Sequence, residues 1–505
     1  MTSLAGLKVV TAKEMARVEA LAYQAGYKEI DFMKAAGEKV GMIVERYLSK
    51  HKKSSVTLLI GKGNNGGDGF VAGLYLLEKG FSVTAYHLFG LDESSPLCKL
   101  FGEIYLKTGA PLHYAKSAAD ISFEQETVII DALLGTGFKG ELKSPLLELV
   151  QKANVSKNPL FSIDIPSGLD AGSGIVKNSA VKALETVFLG LPKMGFFIND
   201  GFNHVGKLGY GDFGLPQEFS SQAEFYGNLI DESKIAEVMP EVKRTRHKYE
   251  AGYVLGFGGS KGMTGALKLS GLGALRTGAG IVKLFYPPDA EMENSHSELI
   301  CNPWNYENLE EEKKRARALF VGPGMGRSER TFEFLKKELP QIDKPCVIDA
   351  DGLFFLSKFP QTELPKETII TPHMQEMARL IPDAPKEPLL FHRSVMEYAK
   401  RKNVTVVLKG APTFVFSPGV LPLIIPRGDP GMATAGTGDV LTGMIAALLS
   451  GGLSTYHAAI VGVYIHALAG EKASRAKTSY GVIASDLIEK IPSVLKQIIK
   501  SYERR

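Results

Sequence analysis

Cysteine is scarce in this chain of 505 residues: three in all, Cys98, Cys301 and Cys346, none near another in sequence. That spacing excludes a disulfide framework and a cysteine-based metal site, and it suits a reducing compartment. Tryptophan occurs once. No stretch approaches the ~18–20 consecutive apolar residues of a membrane span. The formal net charge is only +4, which gives no electrostatic case for nucleic acid or an anionic membrane surface. The opening "MTSLAGLKVVTAKEMARVEA" has no apolar core behind a basic head, the mark of a secretory leader. The expectation is a soluble, cytoplasmic protein that works on small molecules, with neither nucleic acid nor membrane as partner.

What remains is an ordinary globular composition, 44% hydrophobic and 23% charged, in a chain long enough for two or three domains at ~100–200 residues each. Short β-branched runs alternate with helix-like segments. "SVTLLI" (55–60), "FSVTAYHLF" (81–89), "ETVIIDALLG" (126–135), "PLFSIDIPSG" (159–168) and "ALETVFLG" (183–190) read as strands, several apolar on both faces as buried parallel strands are. The rhythm breaks over 215–247 and restarts with "GYVLGFGGS" (252–260), "IVKLFYP" (281–287), "ALFVGPGMG" (318–326) and "KPCVIDADG" (344–352). We therefore expect two α/β domains, 1–225 and 246–505, joined by a linker over 226–245, each a sheet with helices on both faces.

In the first half, "GKGNNGGDG" (61–69) lies between a strand and a helix-like run. It matches neither a P-loop, since no Gly-Lys-Ser/Thr follows, nor a hydride-transfer fingerprint. Such a loop offers free N–H groups to an anion, and glycine lets a ligand approach the backbone. The plainer reading is a sharp turn with Asp68 as a helix cap, and Asp68 is assigned to that role rather than to chemistry. "DALLGTGFKGE" (131–141) and "SIDIPSGLD" (162–170) set Asp131 and Asp164 at strand ends. In open parallel sheets ligands bind outside those ends. Asn65, Asp131 and the Ser167 region supply oxygen donors suited to a hard or monovalent cation rather than zinc, and Asp164 is a candidate proton-transfer group.

These three segments, in this order, closely resemble the NAD(P)H-hydrate epimerase domain family over about residues 10–215. The resemblance implies a Rossmann-like three-layer α/β fold. It places Asn64, Asn65, Gly66, Gly67 and Asp68, with Gly135, Thr136, Gly137, Phe138, Lys139, Gly140 and Glu141, along the hydrated nicotinamide nucleotide. It implies potassium at Asn65, Asp131 and Ser167, and Asp164 near the reacting carbon. Lys62 stands where relatives often carry proline.

The second half holds "RGDPGMATAGTGDVLTGMIAALL" (427–449). Gly436-Thr437-Gly438 would open a helix whose N–H groups meet the charge developing on a phosphoryl group. Asp439 at that start could take a proton from a hydroxyl; the plainer alternative is an N-cap. The pattern resembles the ribokinase-like superfamily. With "VGPGMG" (321–326), "VIDADGL" (347–353), "TPHMQEMARL" (371–380) and "VLKGAPTFV" (407–415), it resembles the NAD(P)H-hydrate dehydratase domain over roughly 240–500. The resemblance implies Lys409, Gly410, Ala411, Pro412, Thr413 and Gly438 on the adenine nucleotide, and Ala266, Gly326, His373 and Asp439 on the hydrate. It implies Mg²⁺ with ADP or ATP as donor, ADP being favoured for a two-domain fusion, and a symmetric homo-oligomer. His373 could instead simply hydrogen-bond its loop. Relatives usually read Pro-His-Pro-Gly-Glu where Met374 and Gln375 stand, and "HKYEAG" (247–252) lacks a glycine that commonly follows His-Lys.

Together the halves point to repair of hydrated NADH and NADPH by epimerisation of the R and S forms and nucleotide-dependent dehydration of the S form. Two alternatives stay open. One is a vitamin-precursor kinase acting on a hydroxymethylpyrimidine or thiazole alcohol, which would use the same glycine loop and aspartate. The other is a first half that only binds or regulates.

Overall fold

The computed structural model describes residues 4, 6–240, 242–292 and 296–503. The chain divides into two compact units, Met1–Gly227 and Asn228–Arg505. After a two-residue strand β1 (Lys8–Val9), the first unit carries β2 (Ser55–Ile60), β3 (Ser82–His87), β4 (Leu112–Tyr114), β5 (Val128–Ala132), β6 (Leu160–Ile163), β7 (Glu185–Leu189) and β8 (Lys207–Gly211). The last seven form one sheet in the order β4-β3-β2-β5-β6-β7-β8, every pair parallel. The chain runs outward from β2 to β4 and then returns to the other side at β5, so the carboxyl ends of β2 and β5 flank the switch point where open α/β sheets bind ligands.

Both faces of this sheet are covered, which explains the unbroken apolar runs. Val56, Leu58 and Ile60 pack with Val40, Val44 and Phe70, while Leu59 and Ile129 pack with Leu149, Val150 and Ala153. The helix Asn64–Glu78 that follows β2 lies very close to the sheet. A Cβ at Gly66 would overlap the Gly61 carbonyl, and one at Gly69 would come within 2.6 Å of the Ala132 side chain. Much of the glycine in "GKGNNGGDG" thus serves helix-to-sheet contact; Gly63 faces open space.

The second unit continues with β9 (Gly227–Leu229), which begins at the boundary, then β10 (Tyr253–Phe257), β11 (Ile281–Tyr286), β12 (Ile300–Pro303) and β13 (Ala318–Val321). There follow β14 (Cys346–Ile348), β15 (Thr368–Ile370), β16 (Val404–Leu408), β17 (Thr413–Phe416) and β18 (Leu423–Ile425). They lie in the order β9-β18-β17-β16-β15-β14-β13-β10-β11-β12. The β16/β17 and β17/β18 pairs are antiparallel, and the others parallel. Val254, Ala318 and Phe320 pack under the helices Thr264–Thr277 and Thr437–Ser450, whereas Phe257 packs at a tilt against Phe334 of the helix Glu329–Glu338 on the opposite face. Among the described residues no helix is long and apolar enough to cross a membrane.

The stretch read as a linker, 226–245, is structured in part. It carries β9 and the helix Glu232–Val238, whose Ile235 and Ala236 enter the second unit's core. Its apolar residues are too few and too widely spaced among charged ones to show a period.

Candidate active sites

In the first unit, a fully buried aspartate, Asp131, stands one residue before the end of β5. Its Oδ1 accepts from Ser167 Oγ (2.6 Å) and the Leu133 N–H (3.3 Å), and its Oδ2 from Ser162 Oγ and the Ser167 N–H, both 2.9 Å. Burial pushes the Asp131 carboxyl up, against the pull of these donors. Asn65 Nδ2 donates to the Leu134 carbonyl at 3.0 Å, and the Leu134 N–H donates to Ser167 Oγ at 2.9 Å. Asn65, Asp131 and Ser167 therefore form one linked cluster at the carboxyl ends of β2, β5 and β6.

Asp164 follows β6 with φ of 61°, a left-handed conformation that aspartate tolerates better than most side chains. Its N–H donates to the Val187 carbonyl at 2.8 Å. Its Oδ1 accepts from the Leu189 N–H at 3.1 Å and is ion-paired with the Lys193 ammonium. Lys193 is only 1% exposed, and its Nζ also donates to the Leu189 carbonyl at 2.8 Å. A buried lysine needs such a partner, and the pair fixes the Asp164 side chain in place.

Two more carboxyls share this edge. Asp68 is 8% exposed, and burial first, then the charges of Asp164, Glu19 and Glu29, push it well above the usual carboxylate range. It is not a helix cap: Gly63 occupies the N-cap of Asn64–Glu78, and Asp68 lies inside the helix. Glu19, on the helix Ala12–Gln24, is pushed up to about 7 by burial, with Lys193 opposing and Asp164 adding to the rise.

The remaining expected residues hold the loops. Asn64 Nδ2 donates to Glu29 and its Oδ1 accepts from Ser95 Oγ, both at 2.7 Å. The Lys62 carbonyl accepts the Ser95 N–H at 2.8 Å, so the loop with lysine in place of proline is tied from outside. Gly135 lies against Asn65, where a Cβ would sit 3.6 Å from the Asn65 Cβ. Thr136 and Gly140 are half-buried, Gly137, Lys139 and Glu141 exposed. Phe138 packs on the cluster around Leu59 and Ile129, so its ring is engaged with the protein itself.

In the second unit, Gly436 (φ 92°) turns the chain into the helix Thr437–Ser450, which carries Asp439 in its first turn. Burial and the nearby Asp349 push Asp439 up to about 7, with Lys409 opposing. Asp349, at the end of β14 and 1% exposed, accepts from Lys409 Nζ through Oδ1 and from Thr442 Oγ1 through Oδ2, each at 2.8 Å. Burial alone would lower the Lys409 ammonium; Asp349 and Glu376 outweigh it and hold the group above its ordinary value. A Cβ on Gly438 would sit 3.4 Å from Lys409 Nζ. Gly438, Asp439 and Lys409 thus share one edge.

His373 caps the helix Met374–Leu380: its Nδ1 accepts from the Gln375 and Glu376 N–H groups, while Glu376 Oε2 accepts from the His373 N–H at 2.8 Å. The plainer reading of His373 is thus present. Because Nδ1 accepts, the neutral ring carries its proton on Nε2, on a half-exposed side chain. The helix's Met374 is exposed, so it presents its side chain to solvent. A bridge pairs His373 with Lys409 across adjoining strand ends. Gly326 (φ 78°) donates its N–H to Asp351 Oδ2 at 2.9 Å, and Ala266 packs beside the same loop, 3.1 Å from where a Gly324 Cβ would lie. Gly410, Ala411, Pro412 and Thr413 make the turn between β16 and β17, closed by Thr413 Oγ1 donating to the Gly410 carbonyl at 3.0 Å.

Behind the glycine loop, His466 is buried and its Nε2–H donates to the Thr437 carbonyl at 2.8 Å. Burial pulls this imidazole down to about 4. A folded-state value below the ordinary 6.5 means that the unfolded chain takes up the proton first, so stability is full above about 6.5 and lost as pH falls toward 4. We expect His466→Gln to remove about 3 kcal/mol of this acid sensitivity, read as a flatter dependence of Tm on pH in thermal unfolding.

Residues 29–195 match the family model described as YjeF-related protein N-terminus, and residues 254–493 the one described as NAD(P)H-hydrate dehydratase. A bifunctional NAD(P)H-hydrate repair enzyme Nnr of Moorella thermoacetica is 32% identical over 520 residues, covering 98% of each chain. The chain belongs to the bifunctional NAD(P)H-hydrate repair enzyme family. A second family relative, from Coxiella burnetii, is 31% identical and covers 94% of this chain and 96% of its own. Among solved structures, a ribokinase-like superfamily protein of Enterococcus faecalis aligns at TM-score 0.50 and 26% identity, over 54% of this chain and 95% of that one. The repair-enzyme family thus spans both units, and the second has the ribokinase-like fold expected.

Sequence reasoning missed Glu19, Lys193, Asp349, Glu376 and Thr442. Lys193 had a signal, a lone cation within the apolar "LGLPKMGFF" (189–197), and Asp349 stands at the strand end of the quoted "VIDADGL". Glu19 had none, since its helix is far from the loops in sequence. Cys346 is buried and its thiol pushed up to about 12, which fits the core role expected of it.

Proposed function

We propose that the chain restores reduced nicotinamide nucleotides hydrated across the C5–C6 double bond. The first unit interconverts the R and S hydrates, and the second dehydrates the S form with a nucleoside phosphate as donor. The observation that carries this is Asp439 beside the Lys409–Asp349 pair at a glycine-opened helix start, in one chain with the Asp131 and Asp164 edge.

In the second unit, Asp439, poised at about 7, accepts the proton of the C6 hydroxyl as its oxygen takes the donor's terminal phosphoryl group. The N–H groups of the 436–438 turn meet the charge that develops, and Lys409 adds a fixed cation. The phosphate ester then leaves with the push of the ring nitrogen, and loss of a C5 proton restores the reduced ring. Among the described residues no cluster of three His, Cys, Asp or Glu could hold a metal. Mg²⁺ would be held mainly by the donor's phosphates, with Glu376 as its carboxylate and Asp439 left to the proton. When bound, the ion neutralises phosphoryl charge. His373 Nε2, Ala266 and Gly326 border the hydrate, and the 409–413 turn borders the nucleotide, for which we favour ADP.

In the first unit, the ring nitrogen expels the hydroxyl as water, Asp164 handles a proton, and water returns from the opposite face. Asn64 to Asp68 and the 135–141 loop border the nucleotide. The amide, carboxylate and hydroxyl oxygens of Asn65, Asp131 and Ser167 fit potassium, which would hold the loop after β5 and offset the buried Asp131 charge. The lone cysteines suit the cytoplasm, and a symmetric homo-oligomer is the assembly to look for by light scattering.

The test mixes purified protein, K⁺ and Mg²⁺ with both NADH hydrates and either ADP or ATP, and follows the near-ultraviolet absorbance of the reduced ring. Full recovery, faster than spontaneous interconversion of the hydrates, is the expected result, and the donor that works identifies itself. Recovery of the S fraction alone would leave the first unit without epimerase activity. No recovery with either donor would overturn the reading in favour of a precursor kinase.

A further inference from the structure

Inversion at C6 requires water to depart from one face of the ring and return to the other. Protons must therefore be handled on both faces, and one carboxylate fixed by an ion pair cannot reach both. Asp164 is so fixed, by Lys193 and the Leu189 N–H. The edge holds a second carboxyl with the opposite surroundings. Asp68 is more than nine-tenths buried, and among the described residues its carboxyl has neither a hydrogen-bond nor an ion-pair partner.

The topology separates the two groups suitably. Asp68 is carried by the helix that follows β2, and Asp164 follows β6, with β5 between those strands. Gly69, next to Asp68, sits over Ala132 of β5, so Asp68 comes from the helix-covered face of the sheet while Asp164 stands at a strand end. The charges around them differ too. Asp164 has a lysine; the groups acting on Asp68 are Asp164, Glu19 and Glu29, all acidic, while Tyr23 is a neutral neighbour. Glu19 acts on Asp68 and is itself acted on by Lys193 and Asp164, so it is the competing candidate that the test must exclude. A buried, unpartnered carboxyl beside a carboxylate is stable as the neutral acid, and two carboxyls in such opposed surroundings divide acid and base roles between them.

We propose that Asp68 is the second catalytic residue of the epimerase, acting on the ring face opposite to Asp164. This rests on the epimerase reading of the first unit. For one epimer, the Asp68 acid protonates the C6 hydroxyl; the C6–O bond breaks, and the ring nitrogen lone pair forms the C=N⁺ bond as water leaves. Water then adds to C6 from the other face, the C=N⁺ electrons return to nitrogen, and Asp164 takes the water's proton. Asp68 ends as carboxylate and Asp164 as acid. The other epimer runs the same steps backwards, so each group is acid in one direction and base in the other.

The experiment supplies pure R hydrate to the full chain with ADP, ATP, Mg²⁺ and K⁺, so that epimerisation limits recovery of absorbance. Wild type must first exceed the spontaneous rate; if it does not, the epimerase reading itself fails. Given that it does, Asp68→Asn is expected to lose on the order of 10²–10⁴ in rate, in both directions, with hydrate binding and Tm retained. Asp68→Glu should recover part of the rate. In H₂¹⁸O the wild type should place one solvent oxygen on C6 per inversion. A near-normal Asp68→Asn rate, loss of binding in step with the rate, or inversion without ¹⁸O would each overturn the proposal. So would an Asp68→Asn rate above that of Glu19→Gln, which would hand the role to Glu19.

Discussion

Asp439→Asn binds nucleotide within about threefold of wild type yet loses about 10³ in kcat for dehydration of the S hydrate. Asparagine has the same size and preserves the helix start, but it cannot accept the proton of the C6 hydroxyl. The surroundings of Asp439 suit the proposed task. Burial and Asp349 bring it to about 7 against the pull of Lys409, near the pH at which a general base combines availability with strength. Since the base must be ionised, wild-type kcat/KM for dehydration rises with pH through about 7 and then levels, and the variant lacks this limb. Thermal unfolding supplies a second readout. A carboxyl whose folded value lies above its unfolded one costs stability once ionised, so Asp439→Asn raises Tm at neutral pH while it removes activity. Near-normal turnover would end the base assignment.

Asp164→Asn abolishes recovery of the R hydrate beyond its spontaneous conversion, a loss on the order of 10²–10⁴, while dehydration of the S hydrate continues. Asparagine is preferred to alanine for a physical reason. Lys193 is 1% exposed and depends on Asp164 for its counter-charge. Removing one partner of a buried pair costs about 3–5 kcal/mol, so Asp164→Ala would confound chemistry with unfolding. The amide oxygen of asparagine can still accept from Lys193 and the Leu189 N–H. The two variants should therefore separate: both lose epimerisation, and the alanine variant unfolds at a distinctly lower temperature. Epimerisation at the wild-type rate in either would remove Asp164 from the reaction.

Much of this was legible because strand ends announce themselves. Asp131 and Asp349 each close a buried β-branched run, and a carboxylate there has no packing role. Asp439 stood out through the glycines before it. Asp68 was misread because Asp after glycines fits a cap, and only the register of the helix places it one turn too late. The glycines themselves carried a double meaning, since close helix-to-sheet contact and room for a ligand demand the same residue. Glu19 and Lys193 could not be paired with Asp164 from sequence: each lies on a different element, and only the tertiary fold joins them. The 226–245 stretch failed for want of periodicity, its helix being short and mostly charged.

The antiparallel hairpin of the second unit bears on how such enzymes diversify. Asp439, Asp349 and His373 rest on helix starts and parallel strand ends, where an inserted residue would shift a register shared with neighbours on both sides. Gly410 to Pro412, proposed to border the nucleotide, instead turn β16 into its antiparallel neighbour β17, and a hairpin turn can lengthen, shorten or change composition while its strands stay paired. On the proposed reading, selection can explore donor preference in that turn while Lys409 before it and the reacting residues remain untouched. Descendants of one ancestor can differ in the nucleotide they accept and still perform the same chemistry on the same ring.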